Sequence, residues 1–206
     1  MKTNKLFLLL GFLAILPFTG CSPEDDIKNP QSEPFFFYQD FSGNTTDGTP
    51  ISLTDWTNFA EVGTVKWNEG IYKSDKYAEF TAYQSAQASN IGWLISPALN
   101  MDLADNERLA FDCAQAYVSS ASNSIELLVS TDFNGTNVLA AHWTSVPFTK
   151  PPLNYDTNFT FFSSGIIDLS AFTGNMYLAF KVKGSGTNTS LDGTYEIDNI
   201  RLFNKK

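Results

Sequence analysis

The stretch MYLAFKVK at residues 176–183 decides the fold class of this protein. Leu178, Phe180 and Val182 are apolar, and they alternate with residues that include Tyr177 and Lys181. An alternation with a period of two places one set of side chains on each face of a β-strand. The stretch therefore predicts a strand with one face in a core.

Other short stretches of strand character lie N- and C-terminal to it, separated by turn-forming residues. Further predicted strands cover residues 35–41, 65–67, 71–73, 77–83, 93–95, 109–117, 125–130 and 195–203. A turn is predicted at residues 68–70, a strand edge at 139–143, and a long proline-containing loop at 144–157. About nine to eleven short strands with no helices between them predict an all-β domain over residues 35–206, a two-sheet β-sandwich of jelly-roll type.

The N-terminus has a different character. Lys2 and Lys5 precede an apolar run at residues 6–18, which is shorter than the roughly 20 residues of a membrane span and typical of a signal-peptide core. The run leads into PFTGC, which resembles the bacterial lipobox. We expect a lipoprotein signal peptide at residues 1–20 and acyl chains on Cys21, which anchor the protein to a membrane. An ordinary signal peptide with an incidental cysteine is the alternative.

Residues 21–34 are polar, with three prolines and the acidic cluster EDD at 24–26. They show no apolar periodicity, so we expect a disordered tether. Acidic residues directly after the cysteine resemble the surface-export signal of Bacteroidetes lipoproteins. We therefore expect attachment to the outer membrane with the domain facing the cell exterior; a merely solvated linker is the alternative.

Charge and composition exclude several function classes. The formal charge is −9, and removal of Lys2 and Lys5 with the signal peptide leaves −11. Since no basic patch is visible, nucleic acid is a poor partner. His142 is the one histidine, and the sequence contains no Gly-x-Ser-x-Gly motif, so we expect no enzymatic activity. If Cys21 carries lipid, Cys113 has no disulfide partner and is expected to be a buried small hydrophobe.

Five stretches occur in a defined order over nearly all of residues 35–203. They are FYQDF at 37–41, GWLISPAL at 92–99, IELLVST at 125–131, IDLSAFTGNMYLAF at 167–180 and YEIDNIRL at 195–202. In this order they resemble the choice-of-anchor J, or cleaved-adhesin-like, domains of Bacteroidetes surface proteins and the related DUF5017-like lipoproteins. The resemblance implies a jelly roll akin to galactose-binding-like and MAM-like domains. It implies adhesion or carbohydrate binding only loosely, because one fold serves many functions.

The resemblance also implies a structural Ca²⁺ where the first and last strands meet. Asp40 and Asp198 are in the matching positions, and each lies in an otherwise apolar stretch where an unpaired carboxylate is costly. Ca²⁺ takes six to eight oxygen ligands, so a bound cation would offset that cost. The alternative is that both carboxylates accept hydrogen bonds from loop backbone or neighbouring residues.

Exposed aromatic side chains are the expected means of recognising sugar, because their faces stack on sugar rings while polar neighbours bind hydroxyls. The candidates are Trp143, Tyr155, Trp67 and Tyr83, which lie in or near loops or on polar faces. The alternative is that these aromatics pack in the core or against loops, as expected for Trp93 and Trp56.

These features together predict a lipid-anchored cell-surface binding or adhesion module that recognises carbohydrate. The alternative is a structural or assembly subunit of a surface complex, with protein rather than glycan as its partner.

The anchor gives the first testable prediction. When the full chain is expressed in a Gram-negative host, Cys21→Ser is expected to abolish incorporation of labelled palmitate, because the acylated sulfur is gone. Cys113→Ser is the matched control and should incorporate label normally. Undiminished labelling of the Cys21→Ser protein would show that Cys21 is not the acylated residue.

Overall fold

The alternating stretch at 176–183 lies within a ten-residue strand, as predicted. A computed structural model of the protein describes residues 35–204. The predicted signal peptide at 1–20, the predicted acylation site Cys21 and the whole of the predicted tether at 21–34 lie outside the described residues. In residues 35–204, no helix has the length and apolarity needed to cross a membrane.

Thirteen strands lie between residues 35 and 204. They are β1 (Phe35–Gln39), β2 (Thr57–Val62), β3 (Asn68–Tyr72), β4 (Asp75–Thr81), β5 (Asn90–Ile95), β6 (Leu99–Asn100), β7 (Glu107–Ala116), β8 (Ser124–Ser130), β9 (Thr144–Val146), β10 (Phe162–Ser163), β11 (Ile167–Asp168), β12 (Asn175–Gly184) and β13 (Thr194–Asn204). Three short 3-10 helices cover Met101–Leu103, Val138–Ala140 and Tyr155–Thr157.

The strands form two antiparallel sheets, which confirms the predicted jelly-roll sandwich. One sheet has seven strands, in the order β10-β7-β13-β4-β3, with β1 paired to β13 and β11 paired to β7. The other has six strands, in the order β2-β5-β12-β8-β9, with β6 paired to β12. Antiparallel sheets of a sandwich bury their facing sides against each other.

The core between the sheets consists of large side chains that alternate along the strands. Phe80, Phe111, Phe180 and Trp67 are fully buried, and the Phe111 and Phe180 rings meet edge to face with centroids 5.0 Å apart. Gly92 lies directly against Phe80, and a Cβ at this position would overlap the Phe80 ring. The glycine thus permits the close approach of the two sheets.

The outer faces of both sheets are partly covered by long connections. Over the six-stranded sheet, Phe133, Val138 and Trp143 from the 131–143 connection pack on Trp93 and its neighbours. Over the seven-stranded sheet, Phe162 pairs with β7, while the preceding Phe161 contacts Tyr77 of β4. The backbone before Phe162 stays at the edge of β7, where the Phe159 N–H donates to Gln115 O at 3.1 Å, so it is the Phe161 ring that reaches across the sheet toward Tyr77.

Four local predictions are wrong. Residues 65–67 are not a strand but lie between β2 and β3, where the Trp67 N–H donates to the Asn58 side chain instead of to the backbone of a neighbouring strand. Residues 68–70 are not a turn but the start of β3, and their backbone pairs with β4 despite their turn-like composition. Residues 139–143 are not a strand edge; Val138 opens a 3-10 helix and is buried on the outer face of the six-stranded sheet. The loop predicted at 144–157 begins with β9, which pairs with β8. In each case, sheet pairing or burial supplied by distant residues overrides local composition.

Candidate functional site

A cavity of about 420 Å³ opens on the outer face of the seven-stranded sheet, where β1, β4, β7 and β13 approach one another. Besides the ammonium group of Lys76 and two serine hydroxyls, its walls carry four carboxylates, three aromatic rings and one side-chain amide. These are Asp40, Asp75, Asp112 and Asp198, then Tyr38, Tyr77 and Phe161, and finally Asn199. This combination makes the cavity the main candidate site.

An irregularity in β13 builds the floor of the cavity. The pairing of β13 with β7 shifts register between Asp198 and Arg201, and Asn199 has a φ of 51°. Asp198 lies opposite Asp112 just before this bulge. Bulges redirect side chains and are frequent beside functional sites.

The Asn199 side chain links three walls of the cavity. Its Nδ2 donates to Asp112 Oδ2 at 3.0 Å and to Asp198 Oδ2 at 3.1 Å, while its Oδ1 accepts from the Tyr38 hydroxyl at 2.8 Å. The backbone N–H of Asn199 also donates to Asp198 Oδ1 at 2.7 Å. One residue in an unusual conformation therefore fixes two carboxylates and one aromatic ring.

The cavity concentrates negative charge. Burial raises the pKa of Asp198 to about 6, and the nearby carboxylates of Asp40 and Asp112 add to this against the lowering effect of the Asn199 N–H. The neighbouring cations donate to backbone oxygens: Lys76 Nζ to Ser42 O at 2.8 Å, and Arg201 Nη1 to Asn199 O at 3.1 Å. The cavity thus suits ligands that donate hydrogen bonds or carry positive charge.

A second acidic pair lies next to the cavity, beside Tyr77. Glu196 is only 2% exposed and lies opposite Glu79 in the pairing of β13 with β4. Burial, with Glu79 as a further cause, raises the pKa of Glu196 to about 8, although a hydrogen bond from Tyr77 lowers it. Glu196 Oε1 is buried without a hydrogen-bond partner. The unpaired oxygen favours the protonated form of this carboxyl group.

Both predicted calcium ligands line this cavity, although they are 158 positions apart in sequence (198 − 40). Asp40 lies just after β1 rather than within it, because its Oδ1 accepts from the Ser42 N–H at 3.0 Å as the chain turns. The hydrogen bonds of the alternative interpretation are therefore present as well. Within residues 35–204, the structure contains no group of three or more His, Cys, Asp or Glu side chains that could hold a metal ion.

Sequence reasoning missed several residues of the cavity. Asp112 alternates with the buried Phe111 and Cys113, so its outward position was predictable, but its proximity to Asp198 was not. Nothing in the sequence indicated the left-handed backbone conformation of Asn199 or the hydrogen bond that it accepts from Tyr38.

The four predicted sugar-binding aromatics do not form one surface. The prediction for Trp67 is wrong: its side chain is fully buried and packs on Phe80 with centroids 5.8 Å apart, so it cannot reach a ligand. Tyr155 and Tyr83 are 64% and 60% exposed, on the 3-10 helix after β9 and in the turn after β4 respectively. Each remains an isolated exposed ring.

Trp143 belongs to an aromatic cluster on the outer face of the six-stranded sheet. Its ring lies 5.3 Å from Trp93 and 5.5 Å from Phe133, and its Nε1 donates to Val138 O at 2.9 Å. Beside it, Lys181 lies over the Trp93 ring and pairs with Glu61 at 3.0 Å. Trp143 is partly buried and holds the 131–143 connection against the sheet.

A second aromatic cavity of about 480 Å³ borders this cluster. Trp56, Phe133 and Tyr177 line it together with Asp55. Trp56 was expected in the core, and it does contact the core residues while also reaching this cavity. This cavity contains one carboxylate, whereas the first contains four, so it offers fewer acceptors for hydrogen bonds from hydroxyl groups.

Comparison with known proteins identifies one family and one fold. A family model described as "Domain of unknown function (DUF5017)" matches residues 99–206, just over half of the chain. No curated protein matches the sequence.

Among solved structures, the K3 cleaved adhesin domain of Lys-gingipain from Porphyromonas gingivalis W83 is similar with a TM-score of 0.56 and 14% identity, over 84% of this chain and 100% of that one. The K1 domain of the same protein gives a TM-score of 0.52 and 16% identity, over 82% and 98%. At these identities the likeness establishes a shared fold.

The raised pKa values give a prediction about stability. A carboxyl whose pKa is higher in the folded than in the unfolded chain stabilises the fold at low pH, and this contribution is lost as the pH rises through the folded pKa. For Asp198 this stabilisation is lost between its ordinary pKa and a pH of about 6. For Glu196 it is lost between its ordinary pKa and a pH of about 8. We expect the free energy of unfolding to fall by at most about 5 kcal/mol between pH 5 and pH 8, with the larger part from Glu196.

Chemical denaturation at several pH values tests this expectation. Glu196→Gln, which stays neutral, should flatten the dependence between pH 6 and pH 8. The matched control is Glu126→Gln on the six-stranded sheet, where the side chain is exposed and the slope should not change. Equal stability of the unsubstituted protein at pH 5 and pH 8 would contradict the prediction.

Proposed function

The chain belongs to the DUF5017 family, and we propose that it is a lipid-anchored cell-surface module that binds carbohydrate in the cavity between β1, β4, β7 and β13. The observation that carries the proposal is the convergence of four carboxylates, an amide and three aromatic rings on one cavity. Cys21 would carry the lipid, and the domain would face the cell exterior.

The chemistry of the cavity suits a sugar. Carboxylate oxygens accept hydrogen bonds from hydroxyl groups, and such bonds to a charged acceptor are stronger than neutral ones. The apolar face of a sugar ring can pack on Tyr38, which is 48% exposed at the rim. A volume of about 420 Å³ lies within the range of small-ligand sites and can hold one or two sugar units.

Ca²⁺ is the ion that this site would take, with Asp40 and Asp198 as its carboxylate ligands. Carboxylate oxygens fit the chemistry of Ca²⁺, but within residues 35–204 no three acidic side chains are grouped closely enough to hold a metal ion, so most of its six to eight ligands would be backbone carbonyls and water. When bound, the ion would neutralise the charge that Asp198 shares with its neighbours. Tyr38 and Asn199 would still orient a ligand at the rim.

Thermal unfolding tests the calcium proposal. CaCl2 is expected to raise the melting temperature of the full chain, and MgCl2 at equal ionic strength serves as the control for screening. The rise should disappear in the Asp40→Asn, Asp198→Asn double variant. A rise of the same size in the double variant would show that these residues do not hold the ion.

Glycan binding is tested with the full chain on a glycan array, followed by calorimetry on the bound glycans. Asp75→Ala is the informative variant, because Asp75 is exposed at the rim and its loss should leave the fold intact. We expect it to weaken binding about tenfold, the effect of losing a hydrogen bond to a charged group. Asp156→Ala, an equally exposed aspartate on the 3-10 helix after β9, should bind normally.

Other outcomes would redirect the proposal. Loss of binding in Trp143→Ala with normal binding in Asp75→Ala would place the site on the six-stranded sheet. Release of reducing sugar from a bound glycan would give the carboxylates a catalytic role. A silent array together with a protein that co-purifies in fixed proportion would favour the assembly-subunit alternative.

A further inference from the structure

Aromatic side chains continue from the candidate cavity along β1 and the end of β13. Tyr38 lines the cavity, Phe35 stacks on Tyr38 with ring centroids 5.7 Å apart and an interplanar angle of 18°, and Phe203 meets Phe35 edge-on at 6.4 Å. We refer to Tyr38, Phe35 and Phe203 as the aromatic row. Phe35 is 50% and Tyr38 48% exposed, so the row is open to solvent.

A second bulge creates this row. In a regular strand, residues 35 and 38 would point to opposite faces, since they are separated by an odd number of positions. The pairing of β1 with β13 shifts register between Phe35 and Phe37, and this extra residue turns Phe35 to the same side as Tyr38. Phe36 and Phe37 pack against the core. The bulge therefore separates the opening aromatic run into two core residues and two exposed ones.

The row also has polar character. Ile200 and Leu202 are fully buried, so the alternate residues Arg201 and Phe203 lie on the outer face of β13. Arg201 pairs with Tyr38 across the two strands. A guanidinium therefore lies next to the rings, and the four carboxylates of the cavity follow beyond Tyr38. Rings beside hydrogen-bonding groups are what a sugar chain requires, whereas a purely apolar partner would remove the Arg201 charge from water, and its hydrogen bond to the neutral Asn199 carbonyl does not neutralise that charge.

We infer that the cavity and the aromatic row form one continuous groove, which binds an extended glycan chain rather than a single sugar. This inference rests on the proposed function. The cavity would hold one sugar unit, and the exposed parts of Tyr38, Phe35 and Phe203 would contact the units that follow. Because Phe35 stacks on Tyr38 and Phe203 meets Phe35 edge-on, the three rings form one continuous apolar wall beside the cavity.

The test uses ligands of graded length with the full chain. The probes are xylo-, cello-, manno- and N-acetylchito-oligosaccharides of one to six units, measured by calorimetry. In the series that binds, affinity should increase with length. Phe35→Ala should weaken binding of the six-unit ligand about tenfold, as expected for the loss of one stacked ring, and leave the one- and two-unit ligands unchanged.

Tyr117→Ala is the matched control, because Tyr117 is 56% exposed but distant from the row. It follows the C-terminal end of β7, whereas Arg108, which pairs with Phe203, lies near the N-terminal end of that strand. It should bind every length normally. If short and long ligands bind equally and Phe35→Ala changes neither, the groove is wrong while the cavity proposal stands. If no oligosaccharide of any series or length binds, the proposed function and the groove are both wrong.

Discussion

The pairing of the last strand with the middle of its sheet is the interaction on which the rest of the structure depends. β13 lies between β7 on one side and β4 and β1 on the other, so it joins the first, central and final parts of the chain. Its inward residues Tyr195, Ile197, Ile200 and Leu202 are buried in the core. The other strands of the seven-stranded sheet cannot be joined until the C-terminal strand pairs with them, so the fold depends on contacts between residues far apart in the chain.

The candidate site follows from a defect in that same strand. A regular β13 would carry its side chains in strict alternation, and the bulge after Asp198 interrupts that order. The interruption lets Asn199 bridge Asp198, Asp112 and Tyr38 through one side chain. Partial burial of a carboxylate, with other carboxylates nearby, costs stability, as the raised pKa of Asp198 shows. Such a cost is typical of sites that are maintained for binding rather than for folding.

The connections between strands decide which parts of the two outer faces stay open. On the seven-stranded sheet, Glu196 is buried beside Tyr77, whereas Asp198, two positions further along β13, lines the open cavity. The 131–143 connection buries Trp93 on the other sheet and holds Trp143 in place. Aromatic residues that both lie between polar neighbours in the sequence thus end in different environments. Trp67 is fully buried in the core, whereas Trp143 is partly buried on the outer face of the six-stranded sheet.

The sequence by itself determined the strand pattern, the sandwich class and the inward set of side chains, because alternation with a period of two depends only on neighbouring residues. The family resemblance pointed to Asp40 and Asp198, and the sequence showed that both lie in apolar stretches. Only the tertiary structure decided that Asp112, Asp75, Tyr38 and Asn199 join them, and that Phe35 continues the row. These outcomes depend on bulges and on register between strands far apart in the chain, and a register shift leaves no local signal in either strand alone.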